Sequence, residues 1–231
     1  MEKYSGINQY IDEIIGIFKE NSNKDNIKQM EKYMKNNFQF LGIKAPQRRK
    51  ISRVFLRKDN RPRYDQIEIV VKKLWELPER EYQYFACDLL EKYNKDFSRE
   101  IINLFEYMII YKSWWDTVDI ISKKLVGEYF KQFPKERDEY IKKWIKSNNI
   151  WLQRTTILFQ LGYKDRTDIE LLFNIIEILK DKDEFFIQKA IGWALREYSK
   201  TNPKIVKEFI ENTKLSPLSE REGMKIVNKI V

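Results

Sequence analysis

Phe185-Phe186-Ile187-Gln188-Lys189-Ala190-Ile191-Gly192-Trp193-Ala194-Leu195-Arg196-Glu197 has the spacing of an amphipathic helix. Ile187, Ala190, Ile191, Ala194 and Leu195 recur at steps of three and four and form one apolar face. Lys189, Trp193 and Arg196 fall together on another face, at i, i+4 and i+7. The rhythm continues outward. Ile7, Tyr10, Ile11, Ile14, Ile15 and Phe18 follow it, as do Leu74, Trp75 and Leu77. Pro46, Pro78, Pro134, Pro203 and Pro217 each precede an amphipathic stretch and suit a first helical turn. With only 7 Gly and 6 Pro, the chain has few residues for hairpin turns.

The pattern predicts an all-α protein of about a dozen helices, each roughly 10–18 residues long. Serial helices of similar length predict antiparallel pairs stacked as an α-solenoid, with a concave face for a ligand. The internal echo is weak. Leu77-Pro78-Glu79-Arg80-Glu81-Tyr82 resembles Phe133-Pro134-Lys135-Glu136-Arg137-Asp138-Glu139-Tyr140, but no regular period follows, and a plain multi-helix globule is the alternative. No linker or composition shift marks a boundary, so a single domain over residues 1–231 is expected.

The 44 Lys and Arg exceed the 35 Asp and Glu, for a net charge of +9. Such an excess favours a positive surface, and nucleic acid is the first partner to consider. Many Lys-rich soluble proteins bind nothing anionic. Histidine is absent, which removes the commonest general base, the commonest metal ligand and every Ser-His or Cys-His nucleophile. The one cysteine, Cys87, lies in the apolar run Tyr84-Phe85-Ala86-Cys87 and reads as a buried structural thiol. No metal site and no cofactor are expected. No apolar run approaches the roughly 20 residues of a membrane span. The opening Met1-Glu2-Lys3-Tyr4-Ser5 is polar and unlike a signal peptide, so a soluble cytoplasmic protein is expected. Acid–base chemistry would rest on Asp, Glu, Tyr or Lys.

Lys112-Ser113-Trp114-Trp115-Asp116-Thr117-Val118-Asp119 sets two tryptophans beside two carboxylates. Ser113 and Asp116 read as a capping pair, with a helix beginning at Trp114. Trp115 and Asp119 then lie one turn apart on a shared face. Trp114 pairs with Val118 as a core residue, and Asp116 serves the first turn. The bland alternative makes Trp115 core and Asp119 a solvated helix acid. Trp193 between Lys189 and Arg196 suits a surface that stacks on sugar or base while cations meet phosphate. Cations lying over a partly buried indole are the competing reading. Gly192 admits a close approach. In Asn148-Asn149-Ile150-Trp151-Leu152-Gln153-Arg154, Trp151 reads as core and Arg154 as exposed and functional. Lys44-Ala45-Pro46-Gln47-Arg48-Arg49-Lys50 is a helix N-terminus with three cations in its first turns, which favours phosphate or is a solvated basic patch.

At these residues the chain closely resembles the AlkD family of bacterial alkylpurine DNA glycosylases, built of HEAT-like helical repeats. The likeness runs nearly end to end. It includes Lys32-Tyr33-Met34-Lys35-Asn36, Phe40-Leu41-Gly42-Ile43, Leu77-Pro78-Glu79-Arg80-Glu81, Lys112 to Asp116 with Val118 and Asp119, Ile150 to Arg154, and Phe185 to Trp193. The resemblance implies that Asp119 is the catalytic carboxylate. It implies that Trp115 and Trp193 pack on the deoxyribose of the lesion. Tyr33 and Arg154 would lie near the lesion or backbone, and Arg196, Arg48, Arg49 and Lys50 would meet phosphates. Lys44-Ala45 departs from the Gln-Thr of the family pattern, which puts a side-chain hydrogen bond there in question, although Lys44 could substitute as a cation.

The resemblance implies hydrolysis of the N-glycosidic bond of cationic N3- or N7-alkylated purines in duplex DNA, without base flipping, by a monomer needing no obligate protein partner. One acid and no histidine fit that substrate. A purine alkylated at N7 or N3 already carries positive charge and departs neutral, so no general acid is required. Two other readings stand beside it: a non-catalytic helical-repeat module for nucleic acid or protein, and an RNA-binding repeat protein.

Overall fold

A computed structural model describes residues 6–230, and the polar opening Met1–Ser5 lies outside the described residues. Fourteen α-helices account for the described secondary structure apart from short 3-10 and π segments and one isolated bridge. They are α1 (Ile7–Glu20), α2 (Lys24–Tyr33), α3 (Ala45–Ser52), α4 (Ile67–Glu76), α5 (Arg80–Leu90), α6 (Ile101–Ile110), α7 (Trp115–Ile120), α8 (Gly127–Gln132), α9 (Pro134–Lys146), α10 (Ile150–Leu158), α11 (Ile169–Leu179), α12 (Phe185–Tyr198), α13 (Pro203–Asn212) and α14 (Pro217–Ile230). No helix among the described residues is long and apolar enough to cross a membrane. The helices gather into two compact units, residues 1–96 and 97–231.

Among the described residues, α3, α5, α7, α10 and α12 begin at Ala45, Arg80, Trp115, Ile150 and Phe185, each 35 residues after the one before. The period is therefore regular where the sequence reading found it irregular. The echo between Leu77 and Phe133 does not mark it, because those segments do not occupy equivalent places in the repeat. Three fourth positions share one job. Gln83 Nε2 donates to the carbonyls of Trp75 and Leu77 at 3.1 and 2.8 Å, closing the C-terminus of α4. Gln153 Nε2 does the same for Ile145 and Ser147 at the end of α9, at 3.1 and 2.7 Å. Gln188 Nε2 reaches the carbonyl of Lys182, just past α11, at 3.2 Å. A helix end leaves carbonyls without intrahelical partners, and these amides satisfy them.

The first unit packs α1 against α3 and α4. Tyr10, Ile14 and Phe18 line the buried face of α1. Phe18 stacks on Tyr82 at 5.5 Å, and Phe55 meets Tyr10 and Phe85 edge-on. The buried carboxylate of Glu81 accepts the backbone N–H groups of Leu41 and Ile43, both at 3.0 Å, and so fixes the turn that leads into α3. Gly42 in that turn has φ +81, and a Cβ there would lie 2.0 Å from the Asn23 carbonyl oxygen. Burial raises the Glu81 carboxyl above its ordinary value, against the opposing pull of those backbone donors. Cys87 is buried, as expected, and burial pushes its thiol far up.

In the second unit α12 packs most extensively against α14. Gly192 is the reason. A Cβ at that position would lie 2.5 Å from the Cβ of Glu222 and 2.9 Å from the carbonyl oxygen of Ser219. The close approach anticipated at Gly192 is thus that of a neighbouring helix. Gly192→Ala should lower stability by about 1–3 kcal/mol through overpacking. Helix propensity alone would raise it by about 1 kcal/mol. A denaturant midpoint equal to or above that of the wild type would mean the contact is not limiting.

Candidate active site

The approach to α7 is set by backbone geometry. Lys112 has φ +51, and Trp114 is extended, with φ −160 and ψ 160, as the N-cap residue. The helix starts at Trp115, with Asp116 in its first turn and Asp119 one turn on. Ser113 does not cap it. Its Oγ lies 2.7 and 2.6 Å from the carbonyl oxygens of Ile109 and Ile110 and closes α6 instead. The physical reason is the repeat. At the fourth position of α7 stands Val118, which has no amide to satisfy those carbonyls, so the serine does that work.

Directly after Asp119 the helix widens into a π segment, Ile121–Val126. Ser122 Oγ sits there, 2.6 Å from the Val118 carbonyl oxygen and 3.0 Å from Thr155 Oγ1 of α10. This pair of hydroxyls ties the end of α7 to the helix that carries Arg154. Interruptions of this kind are frequent at functional sites because they re-aim side chains.

Asp119 and Arg154 occupy the fifth positions of α7 and α10 and form a two-point ion pair. Arg154 Nε donates to Oδ1 at 2.7 Å, and NH2 donates to Oδ2 at 2.9 Å. The remaining terminal nitrogen, NH1, donates to the backbone carbonyl of Phe186 on α12. One guanidinium therefore joins three successive second helices of the repeat. The Asp119 side chain is 14% exposed and that of Arg154 is 4% exposed. Arg154 is thus buried, where the sequence reading placed it at the surface. Local helix geometry gave no means of seeing that a carboxylate on the neighbouring helix would draw it inward. Burial raises the Asp119 carboxyl above the ordinary aspartate value, Arg154 opposes that shift, and nearby Asp116 adds to it.

A half-buried aromatic wall stands beside the pair. Trp114 meets Phe186 at 5.1 Å and Trp151 at 5.7 Å, and Trp151 meets Phe186 at 4.9 Å. Neither Trp114 nor Trp151 is the fully buried core residue expected from sequence. Both belong to this wall, and the Trp114 Nε1 is buried without a hydrogen-bond partner. Trp115 and Trp193 are half-buried as well, on α7 and α12.

The expected cations divide in two. Lys189 and Arg196, on the face of α12 that carries Trp193, both pair with Glu222 of α14, at 2.7 and 2.8 Å. Sequence reasoning missed Glu222, because nothing local links it to a helix more than twenty residues earlier. In the first unit Arg49 and Lys50 are exposed. Arg48 is not. It is buried on Asp88 at 3.3 Å and lies over the Tyr84 ring, since it occupies the inward-facing fourth position of α3. Tyr33, the last residue of α2, is 66% exposed.

The sequence profile of a family described as DNA alkylation repair enzyme matches residues 14–227. A solved structure described as a predicted DNA alkylation repair enzyme from Enterococcus faecalis is 36% identical, covers 88% of this chain and 95% of its own, and superposes with a TM-score of 0.82. AlkD2 from Streptococcus mutans is 19% identical over 81% of this chain and 90% of its own, with a TM-score of 0.60. The smu.31 protein of Streptococcus mutans UA159 is 19% identical over 80% of this chain and 92% of its own, with a TM-score of 0.59. The last two share the helical-repeat fold. No curated protein matches.

Proposed function

The chain belongs to the DNA alkylation repair enzyme family, and from that premise we propose that it is a monofunctional N-glycosylase for cationic alkylpurines in duplex DNA. The observation that carries the reading is the Asp119 carboxylate. It is largely buried, aimed by two hydrogen bonds from Arg154, and one helical turn from the half-buried Trp115 in a chain without histidine.

Breaking an N-glycosidic bond develops positive charge on the sugar while the base departs. A fixed carboxylate in a partly desolvated site stabilises that charge without reorganising, and it orients the attacking water. Arg154 takes up one lone pair on each oxygen and leaves others for the sugar and water. Indole faces of Trp115 and Trp193 against the deoxyribose would add about 1–2 kcal/mol of cation–π stabilisation as the charge grows. A base alkylated at N3 or N7 departs neutral, so the absent general acid is not needed. In this reading residues 1–231 act as one glycosylase domain, as a monomer. The lesion is held by backbone and sugar contacts without base flipping. Tyr33 and Arg154 lie near the lesion or backbone, and Arg49 and Lys50 meet phosphates. Arg48 would first have to leave Asp88.

The ion pair itself also fits a second reading, a non-catalytic nucleic-acid-binding module in which Asp119 and Arg154 are only a cross-link. Base release decides between them. Methylated duplex DNA incubated with the protein and a chelator should lose 7-methylguanine or 3-methyladenine and gain abasic sites in equal number. Borohydride should trap no protein–DNA adduct. Complete retention of the methylated bases would leave the binding module.

A further inference from the structure

Glu222 gathers three cations. Its Oε1 accepts from Lys189 Nζ and Lys225 Nζ, both at 2.7 Å, and its Oε2 accepts from Arg196 NH1 at 2.8 Å. The carboxylate side chain is 5% exposed, whereas those of Lys189, Arg196 and Lys225 are 38%, 30% and 48% exposed. The anion is thus the buried floor and the cations are the open rim. Lys189 and Lys225 hold the Glu222 carboxyl far below its usual range, at about 2, so it remains charged across working conditions. Gly192 makes the arrangement possible, since any side chain there would push Glu222 off α12.

Three cations on one carboxylate leave two positive charges in excess. Each ammonium has three donors and the guanidinium five. The contacts to Glu222 use only one from each, so most of the donors remain for a second anion. Trp193 lies on the same face of α12, between Lys189 and Arg196.

From this geometry we infer that Glu222 is a positioning residue that assembles Lys189, Arg196 and Lys225 into a clamp for a backbone phosphate of duplex DNA, next to the sugar-facing Trp193. The inference rests on the reading of the chain as an enzyme of duplex DNA, and it adds Glu222 and Lys225 to the site. Side chains as long as Lys and Arg lose much rotamer freedom when they bind phosphate. Holding them on a buried carboxylate removes part of that loss beforehand, as preorganisation does.

The test is binding to an unmodified duplex as a function of salt, with folding followed by circular dichroism. Lys225→Gln should bind about fivefold to tenfold more weakly near 0.1 M salt, and the slope of log K against log salt should become shallower by about 0.9. Glu222→Gln makes the protein more positive by one charge. If Glu222 only fastened α14 to α12, that added charge would strengthen DNA binding. A positioning role predicts the opposite, binding about threefold to tenfold weaker. An unchanged slope for Lys225→Gln overturns the clamp, whatever the glutamine variant does. Binding of Glu222→Gln that is unchanged or tighter overturns the positioning role. If Glu222→Gln does not fold, the lysine variant decides alone. Because the duplex is unmodified, the result is independent of base release. A wild type that binds with the expected slope but releases no base sinks the glycosylase reading and leaves the clamp standing.

Discussion

Asp119→Asn is expected to lower the rate of base release at least about a hundredfold, while binding to unmodified duplex stays within a few-fold of the wild type. Asparagine keeps the size of the side chain and one oxygen for Arg154. It loses the negative charge that faces the developing cation. Asparagine also leaves the Arg154 guanidinium, whose side chain is 4% exposed, without its counter-charge, so some loss of stability is expected, and circular dichroism separates it from the loss of rate. Burial raises the Asp119 carboxyl, which means that the fold disfavours its ionised form. The stability this group contributes is fully present below the unfolded value of 3.8 and is lost as pH rises through the higher folded value. A neutral side chain at neutral pH escapes that penalty, which offsets part of the cost of the unpaired Arg154. For the same reason, wild-type base release should fall on acidification with a midpoint above 3.8. An acid limb at or below that value would mean that Arg154, rather than burial, dominates the titration of this carboxyl. Full activity in the asparagine variant would remove Asp119 from the chemistry.

Arg154→Met carries the second large effect, of a different kind. It removes the ion-pair partner of a carboxylate whose side chain is 14% exposed, and the loss should destabilise the fold by about 3–5 kcal/mol. It also releases the carbonyl of Phe186 and so loosens α12. With Arg154 gone, nothing opposes the upward push of burial on Asp119. The acid limb of base release should therefore move to higher pH, leaving less ionised enzyme at neutrality. A merely structural role would lower stability without moving that limb. The double variant Asp119→Asn/Arg154→Met should regain part of the stability and none of the activity, with a coupling of about 1–3 kcal/mol between the two sites. An unmoved pH profile in the single variant would reduce Arg154 to a cross-link.

The all-helical fold was legible in the chain because amphipathic spacing is a local property. Five residues such as Ile187, Ala190, Ile191, Ala194 and Leu195 must share a face in any helix they form. The regular repeat was not legible by matching letters. Its fifth positions read Arg49, Tyr84, Asp119, Arg154 and Lys189, which have little chemistry in common. The recurring glutamines at positions 83, 153 and 188 were the available signal, and their purpose is apparent only beside the carbonyls they close.

The residues nominated for the site divide along the same line. Sequence by itself determined that Trp115 and Asp119 sit one turn apart, that Lys189, Trp193 and Arg196 share a face, and that no histidine takes part. Each follows from helical pitch or from composition. Tertiary structure alone decided that Arg154 turns inward onto Asp119, that Arg48 is occupied by Asp88, and that Lys189 and Arg196 meet on Glu222. The reason is physical. A long cationic side chain reaches several ångströms from its own helix, so its position depends on which charge the adjoining helix presents, and burial makes an unpaired charge too costly to leave alone.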